Sequence, residues 1–228
     1  MVRARTALAN EIRGFLLEYG IAIPKGLSYV RRELAAIVEG QKGLRSELWL
    51  RTFERLRGEL DARDKDVEWC EKELKLVAKE SEACRRLLKV PGVGELTATA
   101  VVAAVGDAKA FKNGRQFAAW LGLTPRQHST GGKAQLGRIS KRGDKYLRKL
   151  LVQGARACAI AAEARRNHKD KHRRILSTTD KWLLGVGIRR GGGRAVVAMA
   201  NKNARRIWTV LANEQEFKQP EELMPLAA

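Results

Sequence analysis

The sequence predicts a mainly α-helical protein in two parts: long coiled-coil helices, followed by a basic helical domain with a helix-hairpin-helix motif. Three observations predict it. Apolar residues recur at helical spacing through most of the 228 residues. A heptad seam runs from Phe53 to Leu88. Charge is also unevenly divided. Residues 1–90 carry 19 basic and 15 acidic side chains, whereas residues 91–228 carry 26 and 10.

Met1–Tyr19 reads as the first helix, with Leu8, Ile12, Phe15 and Leu16 on one face and Gly20 and Pro24 as its stop. A second helix is expected from Ser28 to Val38, ended by Gly40 and Gly43. A long helix then begins near Leu44. Steps of three and four from Phe53 reach Leu56, Leu60, Arg63, Val67, Cys70, Leu74, Val77, Ser81, Cys84 and Leu88, and nine of the eleven are apolar if cysteine counts. Such a seam needs a partner helix, either a second copy of the chain in a coiled coil or a helix of the same chain. Arg63 and Ser81 would weaken it or set its register. Asp61, Asp64, Asp66 and Glu68 fall on its polar side and read as a solvated face rather than a metal site.

Pro91 breaks this helix. The run from Leu88 to Ala98 has the form of a helix-hairpin-helix, with Leu88, Val90, Val93 and Leu96 as its apolar anchors. In such a motif Gly92 and Gly94 let the backbone approach a phosphate, and the free amides of the following helix bind it without reading bases. The plainer alternative is a Pro-Gly turn between core helices. Leu96–Val105 is then a buried helix.

Lys112–Lys149 holds ten Lys or Arg and one acid, Asp144. Phe117–Pro125 reads as a helix end and a turn. The glycines from Gly131 to Gly143 predict an irregular, strand-flanked loop. Ser129 and Thr130 on that loop, among Arg126, Lys133, Arg138, Lys141 and Arg142, suit either phosphate binding or attack on a phosphate. Ala155–Ala164 reads as a core helix. His168 and His172 have helical ligand spacing but no third ligand, and belong with Arg165, Arg166, Lys169, Lys171, Arg173 and Arg174 on a basic face. Gly185–Gly193 reads as a flexible basic loop, Ala195–Leu211 as a helix, and the C-terminal residues as a tail. The expected divisions are 1–89, 90–212 and 213–228.

A net charge of +20 and a pI near 10.4 point to a polyanion as partner, most simply nucleic acid. The longest apolar stretch, around Val101–Val105, falls far short of the ~20 residues of a membrane span. Three cysteines without a CxxC pattern suit buried apolar positions in a reducing cytoplasm.

Several motifs together resemble one family. Val90–Gly94, Gly122–Arg126, Ser129–Lys133 and Leu136–Arg148 resemble the C-terminal domain of insertion-sequence family one-ten. These are the DEDD transposases related to the Piv/MooV invertases. Ala200–Lys202 with Ala204–Trp208 resembles that family's closing helix, and Arg13–Leu16 with Gly20 and Ile21 resembles the segment between its catalytic domains. The resemblance covers about residues 1–212 in order and spacing.

It implies excision and insertion of a mobile element by site-specific recombination, guided by a bridge RNA that pairs with donor and target DNA. It implies a coiled coil that assembles the protomers into a homo-oligomer. It also implies a nucleophilic serine, which falls on Ser129 with Thr130 as the lesser candidate, giving a phosphoserine-linked DNA end. Charge, rather than the family, assigns phosphate and RNA contacts to Arg126, Lys133, Arg138, Lys141 and Arg142. The family's Mg²⁺ is held by four acidic residues of an N-terminal RuvC-like domain. No such set stands in these residues, so no cofactor is expected here, and the sequence reads as a truncated, frameshifted or internally initiated transposase. The rival expectations are a non-catalytic remnant that binds DNA or RNA, and a helix-hairpin-helix accessory of repair or recombination.

Overall fold

The computed structural model describes residues 1–128, 130–131, 133, 135–167 and 176–218. It is mainly α-helical and divides into two compact units, Met1–Glu73 and Leu74–Ala228.

The first unit contains α1 (Val2–Glu18), α2 (Leu27–Gly40) and the N-terminal part of α3 (Glu47–Glu80). Leu8, Ile12 and Leu16 lie on one stripe of α1, and Val30, Leu34 and Val38 on one stripe of α2. These stripes meet Trp49, Phe53 and Leu60 of α3 in one core. Trp49 is tilted over Phe53 at 4.3 Å and meets the edge of Tyr19 at 5.8 Å. Asp64 departs from the solvated face expected of it. It pairs with Arg31 and, at 3.2 Å, with Arg5, and so ties α3 to both preceding helices. The Arg31 hydrogen bond holds its carboxyl below the usual range against the opposing effect of burial, and Arg5 adds to it.

The long helix is not continuous to Pro91. It ends at Glu80, and Ser81, expected on the seam, caps α4 (Glu82–Leu88) by accepting a hydrogen bond from the Cys84 amide at 3.3 Å. The physical reason is local: serine competes for backbone donors and favours caps over helix interiors. The early seam positions Phe53, Leu56 and Leu60 are covered by α1 and α2. Val77 stays half exposed, while Ala78 and Cys84 join the second core. Of the three cysteines only Cys84 is buried, and Cys70 and Cys158 are half-buried.

The second unit adds α5 (Glu95–Val105), a 3₁₀ turn (Ala108–Ala110), α6 (Gly114–Trp120), β1 (Pro125–Gln127), β2 (Leu136–Ile139), α7 (Lys145–Arg166), α8 (Thr178–Arg190) and α9 (Gly192–Ala212). Helix α9 is its centre: α4, α6, α7, α8 and the 3₁₀ turn all pack on it. Ala195, Ala200 and Ala204 on its inner face admit close neighbours. A Cβ on Gly114 would stand 3.1 Å from the Arg205 backbone, so the start of α6 rests directly on α9.

The stretch expected as a glycine loop, Gly185–Gly193, is helical apart from Gly191. The α8 start carries a full capping box between Ser177 and Asp180, and Leu183 and Leu184 are buried. Capping and packing outweigh a helix cost of about 1 kcal/mol per glycine. Gly191, at φ +88, makes the turn into α9. Among the hairpin anchors, Val90 and Val93 are buried as expected, but Leu88 and Leu96 are exposed.

Candidate nucleic-acid interface

Two crossing turns build the base of a β-hairpin. At Gly122, φ +69, a Cβ would collide with the Arg142 backbone, and at Gly143, φ +82, with the Trp120 carbonyl. Only glycine lets these chains cross so closely. Arg148 then locks them, donating from one guanidinium nitrogen to the carbonyls of Leu121 and Arg142 at 3.0 Å each. Asp144 caps α7 through the Leu147 amide at 2.8 Å. Much of the Gly122–Arg126 and Gly143–Arg148 motifs is therefore scaffold.

From this base β1 and β2 pair antiparallel, Pro125 with Ile139 and Gln127 with Leu136, with a register shift between. The expected strand-flanked loop is present. The His128 amide continues the ladder to the Gln135 carbonyl, and Thr130 bridges Lys133 near the tip. Both strands are exposed except for the half-buried Ile139. Ser129 lies outside the described residues, between His128 and Thr130. His168 and His172, with the basic residues around them, also lie outside.

Between this hairpin and the outer face of α8–α9 runs a groove of about 960 Å³. Its cations are Arg138 and Lys141 from the hairpin side, Arg190 from α8, and Arg194 and Arg205 from α9. No acid lines it. Trp182 is the aromatic residue of its wall, and Leu123, Val197 and Ala198 supply apolar surface. Lys141 sits at φ +56, a left-handed conformation unusual for a side-chain-bearing residue, where the chain crosses Gly122. Asn201 holds the floor to the hairpin base by donating from Nδ2 to the Leu123 carbonyl at 3.2 Å. The Lys202 ammonium lies 4.1 Å above the Trp182 ring. Burial pushes that ammonium below the ordinary lysine range, and Arg206 and Arg205 add to the effect.

Two of the residues singled out in sequence, Arg138 and Lys141, meet in this groove. Arg126 instead turns a guanidinium nitrogen onto the Ser140 carbonyl at 3.3 Å. Lys133 is near the hairpin tip, and Arg142 is exposed beside the crossing turns. The groove adds Trp182, Arg194 and Arg205, which sequence reasoning missed. Arg194, Val197, Ala198, Asn201 and Arg205 recur at steps of three and four along α9. That period was visible, but its mate on the hairpin was not.

Gly92 and Gly94 stand apart from the groove. Gly92, at φ +82, lies against α7, where an added Cβ would meet the Gly154 carbonyl at 2.7 Å and the Cys158 sulfur at 2.8 Å. Its need for glycine is explained by that packing. Burial, with Asp180 in the same direction, pushes the Cys158 thiol up, so it fills space rather than acting as a thiolate. Gly94 caps α5 in open surroundings, and Glu95 already puts a carboxylate in that helix's first turn. Asn203, almost fully buried on α9, donates to the Pro91 carbonyl at 2.7 Å and fixes the turn from behind.

Asp64 is taken by two arginines and Asp180 by Arg165, and among the described residues no three potential ligands converge. Among the described residues no helix is long and apolar enough to cross a membrane.

Residues 84–172 match the model of the transposase IS116/IS110/IS902 family. The chain is 42% identical, over 96% of its length, to a probable family 20 transposase of Pseudomonas aeruginosa, of which it covers 62%. It is 42% identical over 96% of its length to the transposase for insertion sequence element IS1111A of Coxiella burnetii, covering 57% of that protein. For the transposase of element IS1328 of Yersinia enterocolitica the identity is 36% over 95% of this chain, covering 61% of the relative. The chain thus spans somewhat over half the length of these relatives. The crossing turns, the hairpin and α7 all fall within the segment that matches the IS116/IS110/IS902 transposase family, and the similarity to transposases extends through nearly the whole chain.

Proposed function

We propose that this chain carries the nucleic-acid-gripping and strand-attacking part of a DNA transposition reaction. The observation that carries the reading is the groove, whose described lining holds cations and no acid. Five cations from three separate elements converge at the root of the hairpin whose loop contains Ser129. Exposed guanidinium and ammonium groups that have no carboxylate partner among the described residues suit phosphodiesters.

In this reading the Ser129 hydroxyl oxygen attacks the scissile phosphorus. A serine-oxygen–phosphorus bond forms as a phosphorus–oxygen bond to the sugar breaks, and the departing oxygen takes up a proton. The serine proton passes to a base, and the groove cations offset the charge that develops on the phosphoryl oxygens. The assignment of Ser129 rests on family resemblance and on its sequence position between the residues of β1 and β2. Binding of an element-encoded RNA and self-association belong to the same reading. The charge supports the first, and the exposed Trp69, Leu76 and Val77 of α3 support the second.

The test incubates the chain with labelled duplex bearing an element end and resolves products under denaturing conditions. A covalent protein–DNA adduct that S129A abolishes and T130A preserves, with binding intact in both, is the expected result. Binding with no adduct in the unaltered chain would leave a non-catalytic binder in its place.

A further inference from the structure

The groove has a feature that phosphate binding alone does not require. Trp182 stands half-buried in a wall otherwise made of cations, aliphatic side chains and Asn201. Lys202, beside the groove rather than among its lining residues, lies over one face of that ring, and no ion pair is present for it among the described residues. From these contacts, and resting on the nucleic-acid reading above, we propose that the groove is a single-strand polynucleotide site in which one base stacks on Trp182 and a neighbouring phosphate takes Lys202.

Four observations favour one strand over a duplex. In a duplex the base faces are already stacked, so an indole in a groove wall finds no π surface. In a single strand every base offers one. At about 960 Å³ the groove is the size of a small-ligand pocket, roughly 300–1,000 Å³, which holds a short run of one strand. Leu123, Val197 and Ala198 give that base an apolar neighbourhood, while Arg138, Lys141, Arg190, Arg194 and Arg205 follow a single backbone. Lys202, crowded by Arg205 and Arg206 and lowered by burial, gains the counter-charge it lacks once a phosphate arrives. Asn201 spends its amide nitrogen on the Leu123 carbonyl, so recognition rests on charge and stacking and sequence preference is weak.

The test uses the full chain at physiological salt with three fluorescein-labelled probes followed by anisotropy: a twelve-nucleotide oligothymidylate, the matching oligouridylate, and a duplex of the same length. The single strands are expected to bind more tightly than the duplex and to quench tryptophan emission, with the quench lost in W182F. W182F keeps a π face and retains most of the affinity. W182L keeps bulk without one and weakens single-strand binding about tenfold, a larger loss than it causes in duplex binding. Circular dichroism melts of both variants exclude loss of fold as the cause. K202A lowers single-strand affinity and the steepness of its salt dependence.

Tight binding of the thymidylate alone, or of the uridylate alone, supports the site and names its source as DNA or RNA. Duplex binding equal to or tighter than single-strand binding, or equal single-strand affinity in W182F and W182L, overturns this inference and leaves the proposed function standing. No binding of any probe overturns both.

Discussion

At the scale of single residues, several motif positions prove to be contacts of backbone on backbone. Gly92 and Gly154 are pressed together, and a Cβ on either would overlap the other chain. G92A adds an unfavourable φ to that overlap, so a loss of roughly 2 kcal/mol or more is expected in chemical denaturation. G94A, at an open position with ordinary φ, should melt like the parent. Weaker DNA binding by G94A at unchanged stability would give the Pro91 turn a phosphate-contacting role after all. Lys141 poses the converse case. K141G relieves a left-handed backbone and removes a groove cation, so equal or higher thermal stability should accompany weaker polynucleotide binding. A drop in both would mean that Lys141 is a packing residue.

At the scale of elements, α7, α8 and α9 are joined by one polar cluster. Arg165 of α7 grips both carboxylate oxygens of Asp180, at 2.8 and 3.1 Å, and Asp180 also accepts the Ser177 amide at 3.1 Å. Arg206 of α9 donates to the Thr179 hydroxyl at 2.9 Å. Burial raises the Asp180 carboxyl, but Arg165 and Ser177 outweigh it and hold it below the usual range. A carboxyl depressed in the folded state stabilises the fold above its unfolded value, near 4, and that contribution fades as pH falls through the lower folded value. Asp64 acts in the same direction in the first unit. Denaturation midpoints should therefore decline below about pH 4, and D180N should flatten that decline while lowering stability at pH 7. An acid limb as steep in D180N as in the parent would assign it to other carboxyls. S177A removes the cap of α8 and should cost about 1 kcal/mol.

At the scale of the whole molecule, charge is the functional organiser. Most of the excess positive charge sits in residues 91–228, and within them the groove gathers five cations with no acid among its described lining residues. If all five meet phosphates of a single strand, log K should fall with log salt at a slope near −3.5, about −0.7 per contact. Replacing Arg190 and Arg194 together by alanine should reduce the slope by about 1.4. A shallow slope in the parent would show that the +20 charge is spread over the surface rather than focused here.

The sequence by itself determined the helical class, the resemblance to a transposase family, the two-part charge division and the strand-flanked loop. Each of these is written locally, in apolar period, glycine placement or net charge. The break at Ser81 was also local, since a serine on an apolar seam is a cap signal, but the surrounding heptads concealed it. Only the tertiary structure decided which cations act together. Arg138 and Arg205 are 67 residues apart in sequence and share a groove because α9 forms the centre of the second unit and Gly122 and Gly143 let the hairpin base cross tightly. Tertiary contacts likewise turned a glycine-rich stretch into α8, where buried leucines and a capping box outweighed local propensity. They also made Asp64 an ion-pair centre rather than a solvated acid, because its partners lie on two other helices and charge pairing depends on distance in space, not along the chain.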